Sequence, residues 1–141
     1  MADWAGHARS NYFRVKDQDA FADLCEKWNL TFIVDKETPE RVGFICENEF
    51  GNLPSYRMEE KETDDRVIEV EYDFDDFLDE IASHLKDEEV AIMIECGAEK
   101  LRYLTGIAYA INNKREAVSV SLDDIYENAK TLGTNITDAS Y

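Results

Sequence analysis

The sequence predicts an α+β fold, a mostly antiparallel sheet with about three helices packed on one face. Three observations predict it. Short β-rich runs come in groups, single helical stripes interrupt the groups, and no stretch rich in Gly, Pro or Ser divides the 141 residues. The chain is therefore read as one domain, 1–141, long enough to bury a core without staples. The resulting order, β-α-β-β-(β)-β-α-β-β-β-α, carries a β-α-β-β pattern in each half. That recurrence suggests a split or duplicated ferredoxin-like unit, with no residue-level repeat beneath it.

Each element has its own signal. Tyr12–Lys16 reads as a short strand with Phe13 and Val15 on one side. Asp17 is placed to cap a helix over Asp19–Trp28, whose Phe21, Leu24, Cys25 and Trp28 form one apolar face. Leu30–Val34 and Arg41–Cys46 are β-rich runs on either side of a loop containing Pro39. Gly51-Asn52-Leu53-Pro54 marks a turn, after which Ser55–Met58 is expected to pair with Val67–Tyr72. In Val67–Asp73, Ile68, Val70 and Tyr72 alternate with Glu69, Glu71 and Asp73, the period of a half-buried strand. Phe74, Phe77, Leu78, Ile81 and Leu85 then fall at helical spacing, with Asp73 as cap and Asp76 completing a capping box. Val90–Cys96 is an apolar strand, and Leu101–Ile111 with Ala117–Leu122 makes a hairpin around Asn112-Asn113-Lys114-Arg115. Ser121 with Asp124 suggests a cap for a last helix ending near Gly133. The ends, 1–10 and 134–141, and the polar turn Glu59–Arg66 are expected to be flexible.

Charge excludes several functions. The chain has 32 Asp+Glu against 15 Lys+Arg, a formal net charge of -17. Direct binding to nucleic acid or to an anionic membrane is disfavoured, because phosphates need facing cations. No apolar run is long enough to cross a bilayer and Met1–Ser10 has no apolar leader core, so a cytoplasmic location is the expectation. The three cysteines do not form the even, closely spaced set of a disulfide scaffold. The excess is also uneven: the 43 residues Glu47–Glu89 hold 17 acids and 4 bases, net -13, which leaves -4 for the other 98. Most of the charge thus sits on one turn–strand–helix block.

Chemical motifs are sparse. Asp73-Phe74-Asp75-Asp76-Phe77 lacks the glycine and distal Glu of a calcium loop. Cys25, Cys46 and Cys96 are too scattered for zinc and fall in runs read as apolar faces. His7 and His84 have no nucleophile at motif spacing, Glu59-Glu60-Lys61 is a short chance-prone fragment, and no glycine-rich phosphate loop is present. The local cluster Glu99, Lys100 and Arg102, near Glu95, reads as structural ion pairing or a small anion or partner site. No cofactor and no metal are expected.

Carboxylates themselves remain as functional groups. Glu69, Glu71 and Asp73 would repeat at roughly 6.7 Å on one strand face. Asp75 with Asp79, and Asp76 with Glu80, are i,i+4 pairs about 6 Å apart along a helix. DNA offers a charge about every 3.4 Å per strand, so this array is sparser but rigid and of one sign. Such a surface suits a basic groove built for phosphates. Phe50, Tyr56, Tyr72 and Phe74 lie near it, Tyr72 and Phe74 reading primarily as core.

The segments Ser10-Asn11-Tyr12-Phe13-Arg14-Val15-Lys16-Asp17 and Gly97-Ala98-Glu99-Lys100-Leu101-Arg102-Tyr103-Leu104, with the size and acidity, resemble those of small acidic accessory proteins of phages and mobile elements. Some proteins of that kind are anti-defence factors, antirestriction or anti-CRISPR, several acting as DNA mimics. The resemblance is one of character and carries no functional residue across. It implies a non-enzymatic inhibitor that occupies the basic nucleic-acid-binding surface of a defence nuclease or CRISPR effector. Glu69, Glu71, Asp73, Asp75, Asp76, Asp79 and Glu80 are its expected partner-binding residues. An immunity or antitoxin protein for a cationic toxin, a small-ligand enzyme using the C-terminal sheet, and an acidic domain without a charged partner are the alternatives. A homodimer through a hairpin edge or the Trp4-containing N-terminus is compatible with all of them.

Overall fold

The computed structural model describes residues 4–48, 50–100 and 103–139. The chain begins with β1 (Trp4–Ser10), β2 (Phe13–Arg14) and α1 (Gln18–Lys27), then β3 (Thr31–Val34) and β4 (Arg41–Cys46). A hairpin, β5 (Tyr56–Thr63) and β6 (Arg66–Asp73), leads into α2 (Phe74–His84). The meander β7 (Val90–Glu99), β8 (Tyr103–Asn112) and β9 (Ala117–Ser121) follows, and then α3 (Asp124–Asn128) with a 3-10 turn at Ala129–Thr131.

The α+β class holds, with an antiparallel main sheet. Its seven strands run β2-β4-β1-β7-β8-β9, with β3 on the other side of β4, while β5 and β6 form a separate two-stranded sheet. Taking β1 and β2 as one bent strand, the order β3-β4-β1/β2-β7 is that of a split β-α-β-β-α-β unit. The unit occurs once, and β8 and β9 extend it as a meander. The duplicated alternative does not apply, because the second half continues the same sheet.

The bend between β1 and β2 follows from side chains standing in for backbone. Ser10 Oγ accepts from Phe44 N at 2.9 Å and donates to Asn11 O at 2.7 Å. Asn11 Oδ1 accepts from Ile92 N at 2.8 Å and its Nδ2 donates to Val90 O at 3.1 Å. Buried polar groups need such partners, and here they carry the strand across a gap in its ladder.

Both helices start where their caps predict. Asp17 Oδ1 accepts from Asp19 N and Ala20 N, and Asn29, at φ 58, closes the other end of α1 in the left-handed region. At α2 the capping box forms in both directions: Asp76 N donates to Asp73 Oδ1 at 3.0 Å and Asp73 N to Asp76 Oδ2 at 2.9 Å. The apolar stripes meet the sheet in an aromatic core. Phe21 stands edge-on to Phe13 at 5.5 Å, and Phe77 is edge-on to Trp28 at 5.1 Å and to Phe44 at 5.9 Å.

Several expectations are corrected. The N-terminal residues described are not a flexible arm: Trp4–Ser10 pairs with β7 along its full length, Ala8 and Ser10 being buried. Its small residues give no strong β signal, so pairing from both sides decides the matter. The segment Glu59–Arg66 is not a mobile turn, because the ladder runs to Thr63↔Arg66 and leaves only Asp64-Asp65 as the loop. The last helix is shorter than the spacing suggests. Ser121 N does donate to Asp124 Oδ2 at 2.8 Å, but α3 spans five residues and buries none of them. From 134 the described tail is irregular, although Ala139 N donates to the Tyr126 hydroxyl at 2.8 Å. Cys25 and Cys46 are buried as expected, whereas Cys96 is exposed.

His84 packs edge-on against Phe21 at 6.0 Å. Burial holds its pKa below the ordinary 6.5, with Glu80 and Asp17 pulling upward and Lys16 and Lys27 downward. A depressed histidine pKa stabilises the fold above the unfolded value, and that contribution is lost as pH falls through the folded one. Denaturation followed from about pH 8 down to about pH 5 should show the wild type losing stability relative to His84→Gln. An unchanged difference would contradict the placement of His84.

Candidate functional site

The acidic block divides into two groups with different work. Acids on α2 are tied into the structure. Asp75 and Asp79 both engage Arg115, at 3.6 Å and 2.7 Å, fastening the β8–β9 turn to the helix. Asp76 belongs to the capping box with Asp73. Glu80 accepts from Trp28 Nε1 and, at 3.2 Å, from Arg57. The expected helix array is therefore engaged by its own fold, although two arginines facing four α2 carboxylates leave it net negative.

The hairpin is different, because its two faces are unlike. Side chains alternate across a strand, so Arg57, Glu59 and Lys61 share the inner face with Ile68, Val70 and Tyr72. Arg57 is the anchor. Its guanidinium lies 4.1 Å from the Tyr72 ring centroid and 5.0 Å from that of Trp28, the C-cap of α1. It also pairs with Glu80 at 3.2 Å and Glu59 at 3.5 Å, with only 11% of its side chain exposed. One cation thereby joins the hairpin to both helices.

The outer face carries Tyr56, Met58, Glu60 and Glu62 on β5 and Val67, Glu69, Glu71 and Asp73 on β6. Five carboxylates and no cation share it, all on exposed residues. Glu60 and Glu69 are directly cross-strand, a like-charge pairing that destabilises a ladder. Neighbours along each strand stand roughly 6.7 Å apart and those across it about 5 Å, so the acids form a small two-dimensional grid. Exposed Met58, Tyr56 and Val67 lie among them. The structure thus joins Glu69, Glu71 and Asp73 to two acids that periodicity did not select, Glu60 and Glu62. Nothing in the run Glu59-Glu60-Lys61-Glu62-Thr63 is apolar, so only its partner strand marks it as β.

Of the C-terminal candidates, the structure describes Glu95, Glu99 and Lys100. Glu95 accepts from Leu53 N at 2.7 Å and so holds the loop after β4 against the sheet. Glu99 ends β7 opposite Tyr103, Lys100 stands in the following turn at φ 55, and Arg102 lies outside the described residues. Among the described residues, no group of three or more His, Cys, Asp or Glu is arranged to hold a metal ion, and no helix is long and apolar enough to cross a membrane.

Two outcomes check this assignment. Arg57→Ala should cost about 2 kcal/mol, since it removes a nearly buried guanidinium with two ring contacts and leaves the half-exposed Glu59 and Glu80 without their cation. Amide exchange should then accelerate in β5 and β6 more than in β7 and β8. Glu60→Lys should instead raise stability by about 0.5 kcal/mol, because a repulsive cross-strand pair becomes attractive. Urea denaturation measures both. Comparison of the chain with protein-family models, with curated proteins and with solved structures gives no match.

Proposed function

We propose that the protein is a non-enzymatic inhibitor that uses the outer face of the β5–β6 hairpin to occupy the basic nucleic-acid-binding surface of a partner, as a DNA-mimicking anti-defence factor does. One observation carries the reading: five exposed carboxylates, with no cation among them, stand on an anchored ribbon that includes the repulsive pair Glu60–Glu69. A feature that weakens the fold while concentrating one sign of charge fits a surface shaped for binding. The grid is coarser than a phosphate backbone but needs no ordering on contact, since Arg57 already holds it. Tyr56 and Met58 supply apolar contact between the charges, which a phosphate chain lacks. The α2 acids act at longer range by adding to the negative potential around the hairpin.

The test is charge reversal of Glu60, Glu62, Glu69 and Glu71 to Lys in one variant. Cells that carry a restriction or CRISPR defence and express the wild type should admit phage or plasmid, and cells expressing the variant should resist, with its circular dichroism unchanged. Inhibition in vitro should also weaken steeply as salt rises, because the Debye length shrinks from about 10 Å at 0.1 M to about 3 Å at 1 M. Protection by the reversed variant equal to that by the wild type would remove the hairpin from the mechanism. Protection of cells against one cationic toxin, with no effect on defence nucleases, would favour the immunity-protein alternative.

A further inference from the structure

We infer that the sheet face opposite the helices is a self-association surface, on which a second copy of this chain packs face to face. This is independent of the hairpin's function. Helices α1 and α2 cover one side of the sheet. Strand parity puts Ile92, Ile94 and Cys96 of β7 on the other side, next to Ala110, Ala108 and Gly106 of β8, and then Val118 and Val120 of β9. The β7 and β9 positions are open to solvent, Val118 being 72% exposed, Val120 64% and Ile94 52%, while Gly106, Ala108 and Ala110 between them are half-buried, with Leu122 lying over Gly106. A basin of about 560 Å³ lies over β1 between β4 and β7, lined by His7, Arg9, Ile94 and Cys96 and, on its β4 rim, by Glu47.

Charge identifies the occupant. Two copies of a chain of net charge -17 repel wherever their acids approach. On the open side of β1, β7, β8 and β9, no described position carries a carboxylate. Glu95 and Glu99 alternate onto the helix side, His7 and Arg9 are the basic groups among the described residues of these four strands, and Glu47 at the β4 rim is engaged by the Thr31 hydroxyl. The hairpin is anchored through Trp28 and Glu80 on the helical layer, so face-to-face packing sends the two acidic grids outward in opposite directions. A self-complementary patch around a two-fold axis needs this combination of apolar surface and absent like charge.

The size also fits. The four strands β1, β7, β8 and β9, at about 4.8 Å spacing and with five to ten residues each at about 3.3 Å rise, give a plane of roughly 500 Å². Side chains standing on that plane enlarge its accessible surface toward the ~800 Å² per partner of a standard interface. The edges and Trp4 offer less. The free edge β9 is only five residues long, and Trp4 is already engaged within its own chain. Its Nε1 donates to Phe50 O at 3.0 Å, and its ring lies over Gly97, where a Cβ would come within 2.2 Å of Cζ2.

Sedimentation equilibrium of the full chain tests the inference. The expected result is a mass rising from 16.3 kDa toward twice that value between low and high micromolar concentration. Ile94→Lys and, separately, Val120→Lys should hold the mass at the monomer value. Both side chains are exposed in a single copy, so the fold tolerates the change. A second readout needs no variant. Cys25 and Cys46 are buried, which pushes their thiols up to about 12, so maleimide at neutral pH reports Cys96 alone. Its labelling should slow several-fold over the concentrations at which the mass rises. A monomer throughout overturns the inference. So does a dimer that survives both Lys substitutions with Cys96 still reactive, which would be the edge-to-edge pairing of β9.

Discussion

Arg57 is the constraint on which the acidic hairpin depends. A two-stranded ribbon is marginal in water, and one carrying cross-strand Glu60 and Glu69 is worse than average. The guanidinium answers both problems from the inner face. It lies against Tyr72 of its own hairpin and Trp28, the C-cap of α1, and it pairs with Glu59 and Glu80. Only arginine combines a planar cation for two rings with a fork of donors for two carboxylates. Its position explains how a repulsive outer face persists on a folded element.

That anchor also separates two uses of negative charge within one acidic chain. Asp17, Asp73 and Asp76 satisfy helix termini, Asp75 and Asp79 hold Arg115, and Glu95 secures the loop at Leu53. These carboxylates have partners within their own fold. Glu60, Glu62, Glu69 and Glu71 lack such roles on the outer face and so are free to meet a partner. The same division leaves the open side of the described β7, β8 and β9 positions without acids, so the molecule has one face of concentrated negative charge and another that is apolar.

Much of the fold was legible in the sequence. Arg41–Cys46 and the start and cap of α2 were readable to the residue, because capping groups and periodicity are local signals. The acidic candidates were legible as a block and not as a site. Charge density pointed to 47–89, yet no local rule distinguishes Asp79, bound by Arg115 from 36 residues away, from Glu69, which faces solvent. Glu60 and Glu62 were lost for the complementary reason, since a strand made of polar residues takes its conformation from the strand it pairs with.

What the sequence determined by itself was therefore whatever one stretch of backbone decides alone: the α+β class, the helix caps, the apolar stripes and the sign of the field. Tertiary structure decided which acids are consumed by distant cations, that the N-terminal residues from Trp4 form an interior strand, and that Ile92, Ile94 and Val120 remain uncovered on a common face. The physical reason is range. Periodicity and capping act over one turn or two strand residues, whereas ion pairing and sheet registry join residues whose separation along the chain carries no signal.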